Sequence, residues 1–318
     1  MNVHLSFDVE VWCNNWQELD QRFPAAFDRY VWGRSARGDY ALPKTLEILQ
    51  RHGLQGVFFV EPLFAARFGL DYLHTITRLI LDAGQDVQLH LHTEWVDEIS
   101  PGLIADCSRK RQHISAYTLA EQQALITHGM QMLQSVGVPA VNTFRAGSFA
   151  CNRDTYRALH ACGIAMDSSL NACYEVSGAD LHDGALREAP ALIDGVSSIP
   201  VAVFLDGRGR LRPAQVGGCS FAEMREAMEL AAEAGATEFV IVSHNFEMLK
   251  PGRSDPDNIV VRRFERLCEM LGQRRRDFPT AKYAVDPQAA MPAAISRPPV
   301  SRMATLTRLA EQLRRRWQ

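Results

Sequence analysis

Short apolar, β-branched runs recur along this chain, and most of the stretches between them carry a helical period. The runs are Val3 to Phe7, Gly56 to Val60, Val87 to Leu91, Ala140 to Phe144, Gly163 to Met166, Ser198 to Phe204, Glu238 to Val242 and Ala281 to Val285. Their length and residue types predict strands. After Pro43, KTLEILQRHG places Leu46, Leu49 and a closing Gly53 as a helix requires. Thr118 with Glu121, and Ser220 with Glu223, form T/S-x-x-E capping boxes ahead of two more helices, and Asn152 or Asp154 can cap a further one. Strands alternating with helices build a parallel sheet. Seven or eight such units in roughly 280 residues predict a distorted (β/α)7-8 barrel, with an open doubly wound sheet as the alternative.

The segment 287–300 (PQAAMPAAISRPPV) reads as a Pro/Ala-rich linker that ends a 1–286 barrel domain. Beyond it, 301–318 reads as a basic amphipathic helix with Met303, Leu306, Leu309 or Ala310, Leu313 and Trp317 on one face. That face suits a peripheral membrane foot or a docking helix; the alternative is a terminal helix packed on its own domain.

The chain's 318 residues hold 34 basic and 37 acidic side chains, a net charge of −3. Such a balance gives no global field to draw in nucleic acid. No stretch approaches the ~20 apolar residues that span a bilayer, and the start, MNVHLSFDVE, lacks the pattern of a secretory signal. The seven cysteines form no C-x-x-C pair. A reduced, cytoplasmic setting is expected, with contact at the inner face of a membrane through the C-terminal helix.

Polar residues mark the strand ends, where a barrel of this kind places its active site. The first strand ends in Asp8 and Glu10, the third in His90, His92 and Glu94, and the fourth in Arg145 followed by Ser148. The fifth ends in Asp167, Ser168 and Ser169, and the seventh in Ser243, His244 and Asn245. One such residue alone is more often a helix cap or a satisfied core histidine. Five strand ends of this kind together point to a site, because buried charge is costly unless it is paired or bound to a metal. Histidines and carboxylates from two strands suit a divalent cation with an open position. With no G-x-S-x-G elbow, Walker motif or dinucleotide fingerprint after a predicted strand, metal-assisted hydrolysis is the matching reaction class.

These residues resemble the polysaccharide deacetylase family, the NodB homology domain of carbohydrate esterase family 4, over most of 1–285. SFDVEVW at 6–12 is similar to the family's first motif in its D-x-E/D-x-W form. HLHTE at 90–94 falls at the second, FRAGSF at 144–149 at the third, DSSLN at 167–171 at the fourth and VSHN at 242–245 at the fifth. The resemblance implies Asp8 as catalytic base, Glu10 and His90 as metal ligands, Arg145 as the residue that tunes the base, His244 as general acid and Asp167 as the partner that orients it. It also implies a divalent metal ion, with zinc the first candidate and cobalt, nickel, iron or manganese the others.

Two positions depart from the family pattern. Glu94 stands where the second ligand histidine belongs, so either Glu94 or His92 completes the metal set, with Glu94 slightly ahead. Side chains two apart on a strand share a face, which keeps His92 open. Val11 and Trp12 replace the usual glycine after the first motif. Trp12 and Trp95 are candidates for stacking on a sugar ring, with packing under loops the alternative for both and for Trp16. Ser148 and Phe149 are placed near the substrate, a backbone N–H near Phe149 being the candidate oxyanion donor. The segment Ile99 to Tyr117, with its SRKRQH cluster, reads either as a loop closing over substrate or as a solvated loop.

The implied activity is removal of an acetyl or formyl group from a sugar amide. Taken with the cytoplasmic expectation, it suggests a nucleotide- or lipid-linked intermediate of lipopolysaccharide O-antigen or other surface polysaccharide synthesis. The alternatives are a catalytically silent carbohydrate-binding scaffold on the same fold and an amidohydrolase acting on a non-sugar C–N bond. The sequence leaves the oligomeric state open.

Overall fold

The computed structural model describes residues 1–174, 181, 188–284 and 298–315. In chain order the elements are β1 (Asn2–Val9), α1 (Leu19–Phe27), β2 (Arg34–Ser35), β3 (Gly38–Asp39), α2 (Leu42–His52), β4 (Gly56–Val60), α3 (Ala65–Phe68), α4 (Leu70–Asp82) and β5 (Asp86–Leu91). Then come α5 (Leu119–Ser135), β6 (Thr143–Ala146), α6 (Arg153–Ala161), β7 (Met166–Asp167), β8 (Ala191–Ile193), β9 (Val196–Ser198), β10 (Val203–Leu205) and β11 (Leu211–Pro213). The chain closes with α7 (Phe221–Glu233), β12 (Glu238–His244), α8 (Asn258–Gln273) and α9 (Arg302–Arg315). The described residues form two compact units. The first takes 1–56, 202–282 and 298–315, and the second takes 57–201 with 283–284.

In the first unit β1 runs parallel to β12, in register from Asn2 opposite Glu238 to Asp8 opposite His244. All of β1 after Asn2 is buried, as a parallel strand covered on both faces must be. Phe7 meets Phe264 of α8 edge-on, ring centroids 5.8 Å apart. Helix α7 starts at the expected capping box of Ser220 and Glu223. Glu223 has a second role. Its carboxylate also accepts from Nε of Arg308 and from the Thr305 hydroxyl, both on α9.

In the second unit the hydrogen-bonded strand order is β4, β5, β6, β7, β9, β8. The pairs are parallel except the closing β8–β9 hairpin. β4 is wholly buried. Helix α5 lies so close to β5 at Gly129 that a methyl group there would meet the Leu89 and Leu91 side chains at 2.9 and 3.0 Å. Both expected caps are present: Thr118 with Glu121 opens α5, and Asn152 with Thr155 opens α6.

Four expected strands differ. The run Ser198 to Phe204 is not one strand: β9 ends at Ser198, β10 begins at Val203, and Pro200, which has no N–H for a ladder, lies between. Residues 140–142 stay outside β6, and of the run Gly163 to Met166 only Met166 joins β7. Residues 281–284 form no strand, though the Ala281 amide bonds to the Val3 carbonyl at 3.1 Å; Val285 lies outside the described residues. The linker is described only at 298–300, and Trp317 also lies outside the described residues.

Candidate metal centre and proton-transfer groups

In the first unit the parallel register brings the end of β1 beside the end of β12. One ligand atom each from Asp8, Glu10 and His244 lies within 4.8 Å of the others. Asp8 and Glu10 are buried and His244 is partly open. The Glu10 main chain is clamped by Asn245. Its amide donates to Asn245 Oδ1 at 3.1 Å, and Asn245 Nδ2 donates back to the Glu10 carbonyl at 3.2 Å and to the Tyr30 carbonyl at 2.6 Å. The indole N–H of Trp12 donates to the Glu10 carboxylate at 2.6 Å, and the Trp12 ring meets Trp16 edge-on at 6.1 Å. Trp12 therefore holds Glu10 in place.

The His244 ring stacks on Phe246 with centroids 5.3 Å apart, and its Nδ1 lies 4.0 Å from the Glu247 carboxylate. Glu247 is itself fixed, accepting from the Ser243 hydroxyl at 2.6 Å and from Gln215 Nε2 at 2.7 Å. It lies so tightly over Gly217 that a Cβ there would come within 2.6 Å of its carboxylate. Neither Asn245 nor Glu247 was assigned a role from sequence. Glu247 carries a signal in hindsight, being an acid three residues after the acid candidate.

In the second unit His90 and His92 lie together at the end of β5, both buried, ring centroids 4.8 Å apart. His90 Nδ1 is 2.8 Å from the Arg145 carbonyl, which can only accept. Nδ1 is therefore the nitrogen that donates here, the arrangement in which a histidine ligates a metal through Nε2. His92 Nδ1 is 3.2 Å from the Glu94 carboxylate, which orients that ring in the same way. Gly147 leaves room for it, since a Cβ there would meet the Leu91 carbonyl at 2.7 Å and His92 Nδ1 at 2.8 Å. Two histidines, each with Nδ1 committed, are a donor pair of the kind that binds a divalent cation, so the residues fit the metal the resemblance implies.

Arg145 is fully buried. Its Nε donates to the Ser168 carbonyl at 2.9 Å, and one terminal nitrogen reaches the Ser168 hydroxyl at 3.0 Å and the Tyr283 hydroxyl at 3.3 Å. The guanidinium lies over the Phe59 ring at 4.2 Å. Asp167 accepts from the Tyr156 hydroxyl at 2.8 Å, the Ser169 amide at 2.9 Å and the Ser169 hydroxyl at 2.5 Å. Burial pushes its carboxyl up from the usual range, against the pull of Ser169, Tyr156 and the Arg145 charge.

Of the residues proposed to meet substrate, Ser148 and Phe149 sit consecutively in left-handed backbone, φ 55° and 57°. Such strain in non-glycine residues gathers at functional loops. Gln112 donates to the Ser148 hydroxyl at 3.1 Å, and the Phe149 ring lies against Tyr174 at 5.2 Å. Trp95 is 1% exposed and packs edge-on against Phe64 and Phe68, which is the packing alternative. In the SRKRQH cluster, Lys110 binds the Glu94 carbonyl at 2.8 Å and Glu98, and Arg111 lies over the Tyr117 ring.

Among solved structures, the chain is similar to a polysaccharide deacetylase from Mycobacterium smegmatis, described as putative, at TM-score 0.51 and 16% identity, covering 90% of this chain and 94% of that one. The fold is that of a polysaccharide deacetylase. A family 4 carbohydrate esterase from Streptomyces lividans, in complex with acetate, aligns at TM-score 0.43 and 13% identity over 93% of this chain and 98% of that one. A CE4 family pseudoenzyme from Bacillus anthracis aligns at 0.39 and 12%, over 87% and 60%. No family model and no curated protein matches the sequence. The deacetylase fold bears out the α/β architecture read from the alternation of strands and helices.

Proposed function

We propose that the chain is a metal-dependent hydrolase that removes an acetyl or formyl group from a sugar amide. The observation that carries this reading is the group of Asp8, Glu10 and His244 on adjoining strand ends, in a polysaccharide deacetylase fold. Glu10, His90 and His92 are assigned as the ligands of a divalent cation, zinc first. Glu94 is assigned as the carboxylate that orients His92. A cation bound there supplies Lewis acidity to the amide carbonyl and lowers the pKa of water.

Asp8 takes the proton from the attacking water. His244 delivers a proton to the leaving amine. Glu247 is assigned to orient His244, on its 4.0 Å approach to Nδ1. Arg145 and Asp167 are assigned to tuning and supporting roles through the Ser168–Ser169 segment. Backbone N–H groups at Ser148 and Phe149 are proposed to face the oxyanion, which preorganised donors stabilise.

The substrate we infer is a nucleotide- or lipid-linked N-acyl sugar of surface polysaccharide synthesis, handled in the cytoplasm. Among the described residues no helix is long and apolar enough to cross a membrane. The test is acetate and formate release by zinc-loaded protein from a panel of nucleotide-linked and lipid-linked N-acyl sugars. Release that stops on chelation and returns with metal supports the reading. Stoichiometric metal with no release from any panel member overturns it.

A further inference from the structure

Helix α9 is packed with its polar side inward. Arg308 is buried, its Nε on Glu223 at 2.9 and 3.0 Å and its Nη2 on Asp206 at 2.9 Å. Thr305 is buried between the Glu223 carboxylate and the Gly207 amide. Glu311 receives Arg263, and Arg315 binds Asp257. These contacts fix the rotation of the helix about its axis. They leave Met303 72% exposed, Leu306 51% and Leu313 57%, with Ala310 also exposed. Positions 303, 306, 310 and 313 form a continuous helical stripe, so one whole apolar face looks outward. A soluble surface has no need of such a stripe, which marks an interaction face.

The surrounding charge selects the partner. At 100° per residue, Arg302 and Arg314 fall on the two edges of the stripe, one near each end, and both are exposed. Three acids of this region are already engaged: Glu223 and Glu311 bind arginines, and Glu226 accepts from the Ser301 amide and hydroxyl. The β10–β11 turn is tied to the start of α9 through Gly207, and it carries exposed Arg208 and Arg210 beside a 37% exposed Leu211. The patch is thus basic and apolar in a chain whose net charge is −3. A second copy of the chain is disfavoured. Pairing two stripes in either direction would gather the arginines of both copies at the same ends of one interface, with no acid on the stripe to meet them. Apolar side chains with arginines on their flanks match the boundary between acyl chains and anionic headgroups.

We propose that the outer face of α9, with the β10–β11 turn, is a docking surface for an anionic lipid membrane. The test is co-sedimentation of the full chain with phosphatidylcholine vesicles, with and without phosphatidylglycerol, at low and high salt. Binding is expected on the phosphatidylglycerol vesicles and to weaken with salt. Replacing Met303, Leu306 and Leu313 together by Ser lowers the partition coefficient more than about tenfold. Each of Arg302→Gln and Arg314→Gln lowers it roughly fivefold. All five side chains are exposed, so an unchanged unfolding midpoint shows that the fold survives. No binding to anionic vesicles at low salt overturns the proposal, as does equal binding by the triple variant. A dimer in sedimentation velocity that the triple variant abolishes assigns the face to a second copy and also overturns it.

Discussion

Asp8 and His244 stand directly opposite each other on neighbouring parallel strands, although they come from opposite ends of the chain. One register therefore sets the spacing of the proposed base and the proposed acid. Asp8→Asn keeps the side chain's shape and removes its basicity. Turnover is expected to fall by about 10²–10⁴ while bound metal stays near one per chain. Metal analysis beside acetate release checks this; retained turnover takes Asp8 out of the base role.

The β5 pair separates the two candidates for the last ligand. His92→Ala is expected to abolish tight metal binding. Glu94→Gln, which leaves the ring in place without its carboxylate, is expected to weaken binding by about 10–100-fold. Competition with a chromophoric chelator measures both. A larger loss for Glu94→Gln than for His92→Ala would reverse the assignment.

Gly147 tests the same ring from another side. The added methyl of Gly147→Ala meets His92 and the Leu91 carbonyl. It is expected to displace the imidazole and cost roughly tenfold or more in metal affinity. The same chelator titration reads it, with circular dichroism to confirm the fold.

Glu247→Gln preserves the bonds from Ser243 and Gln215 in shape but removes the charge near His244. The expected result is a kcat loss of about tenfold with KM nearly unchanged, as befits a residue that acts through the acid. Equal loss in Glu247→Ala and Glu247→Gln would point to the charge; rescue by Gln would point to packing.

Arg308 bridges two buried carboxylates, and its removal takes away the buried cation they share. Arg308→Ala is expected to cost about 3–5 kcal/mol in urea unfolding. Asp206 also links this cluster to pH. Burial pulls its carboxyl up, yet backbone bonds from Arg210 and Arg208 and the charge of Arg308 hold it below the usual range. A lowered folded value means that its contribution is complete above about pH 4 and is lost as pH falls through the folded pKa. The stability gap between the native chain and Asp206→Asn should therefore close at low pH; a gap independent of pH would contradict this.

Much of the fold was legible because long parallel strands such as β1, β4 and β12 are buried on both faces and read as unbroken apolar runs. The capping boxes of α5 and α7 were legible for a local reason, since both partners lie within one turn. The β8–β9 hairpin was missed. Its three-residue strands are too short to show a period, although the Asp194–Gly195 turn, with both φ positive, is a recognised hairpin signal. The rotation of α9 could not be read from its own residues, because the carboxylates that bind Arg308 lie 85 and 102 positions away. In the candidate site, residue types at the strand ends were readable. The hydrogen-bond partner of each imidazole required coordinates.

The first unit is assembled from separated stretches of chain, whereas the second is almost one continuous run. During synthesis from the N-terminus, β1 emerges long before β12, the strand it pairs with in this unit. The amino-terminal segment must therefore remain without that pairing while the middle of the polypeptide collapses on local contacts, and closure of the long loop comes late. A nascent chain arrested before residue 238 would hold Asp8, the proposed base, on a strand still lacking its β12 neighbour and His244, the proposed acid, so the proposed proton-transfer pair cannot exist until β12 has been made.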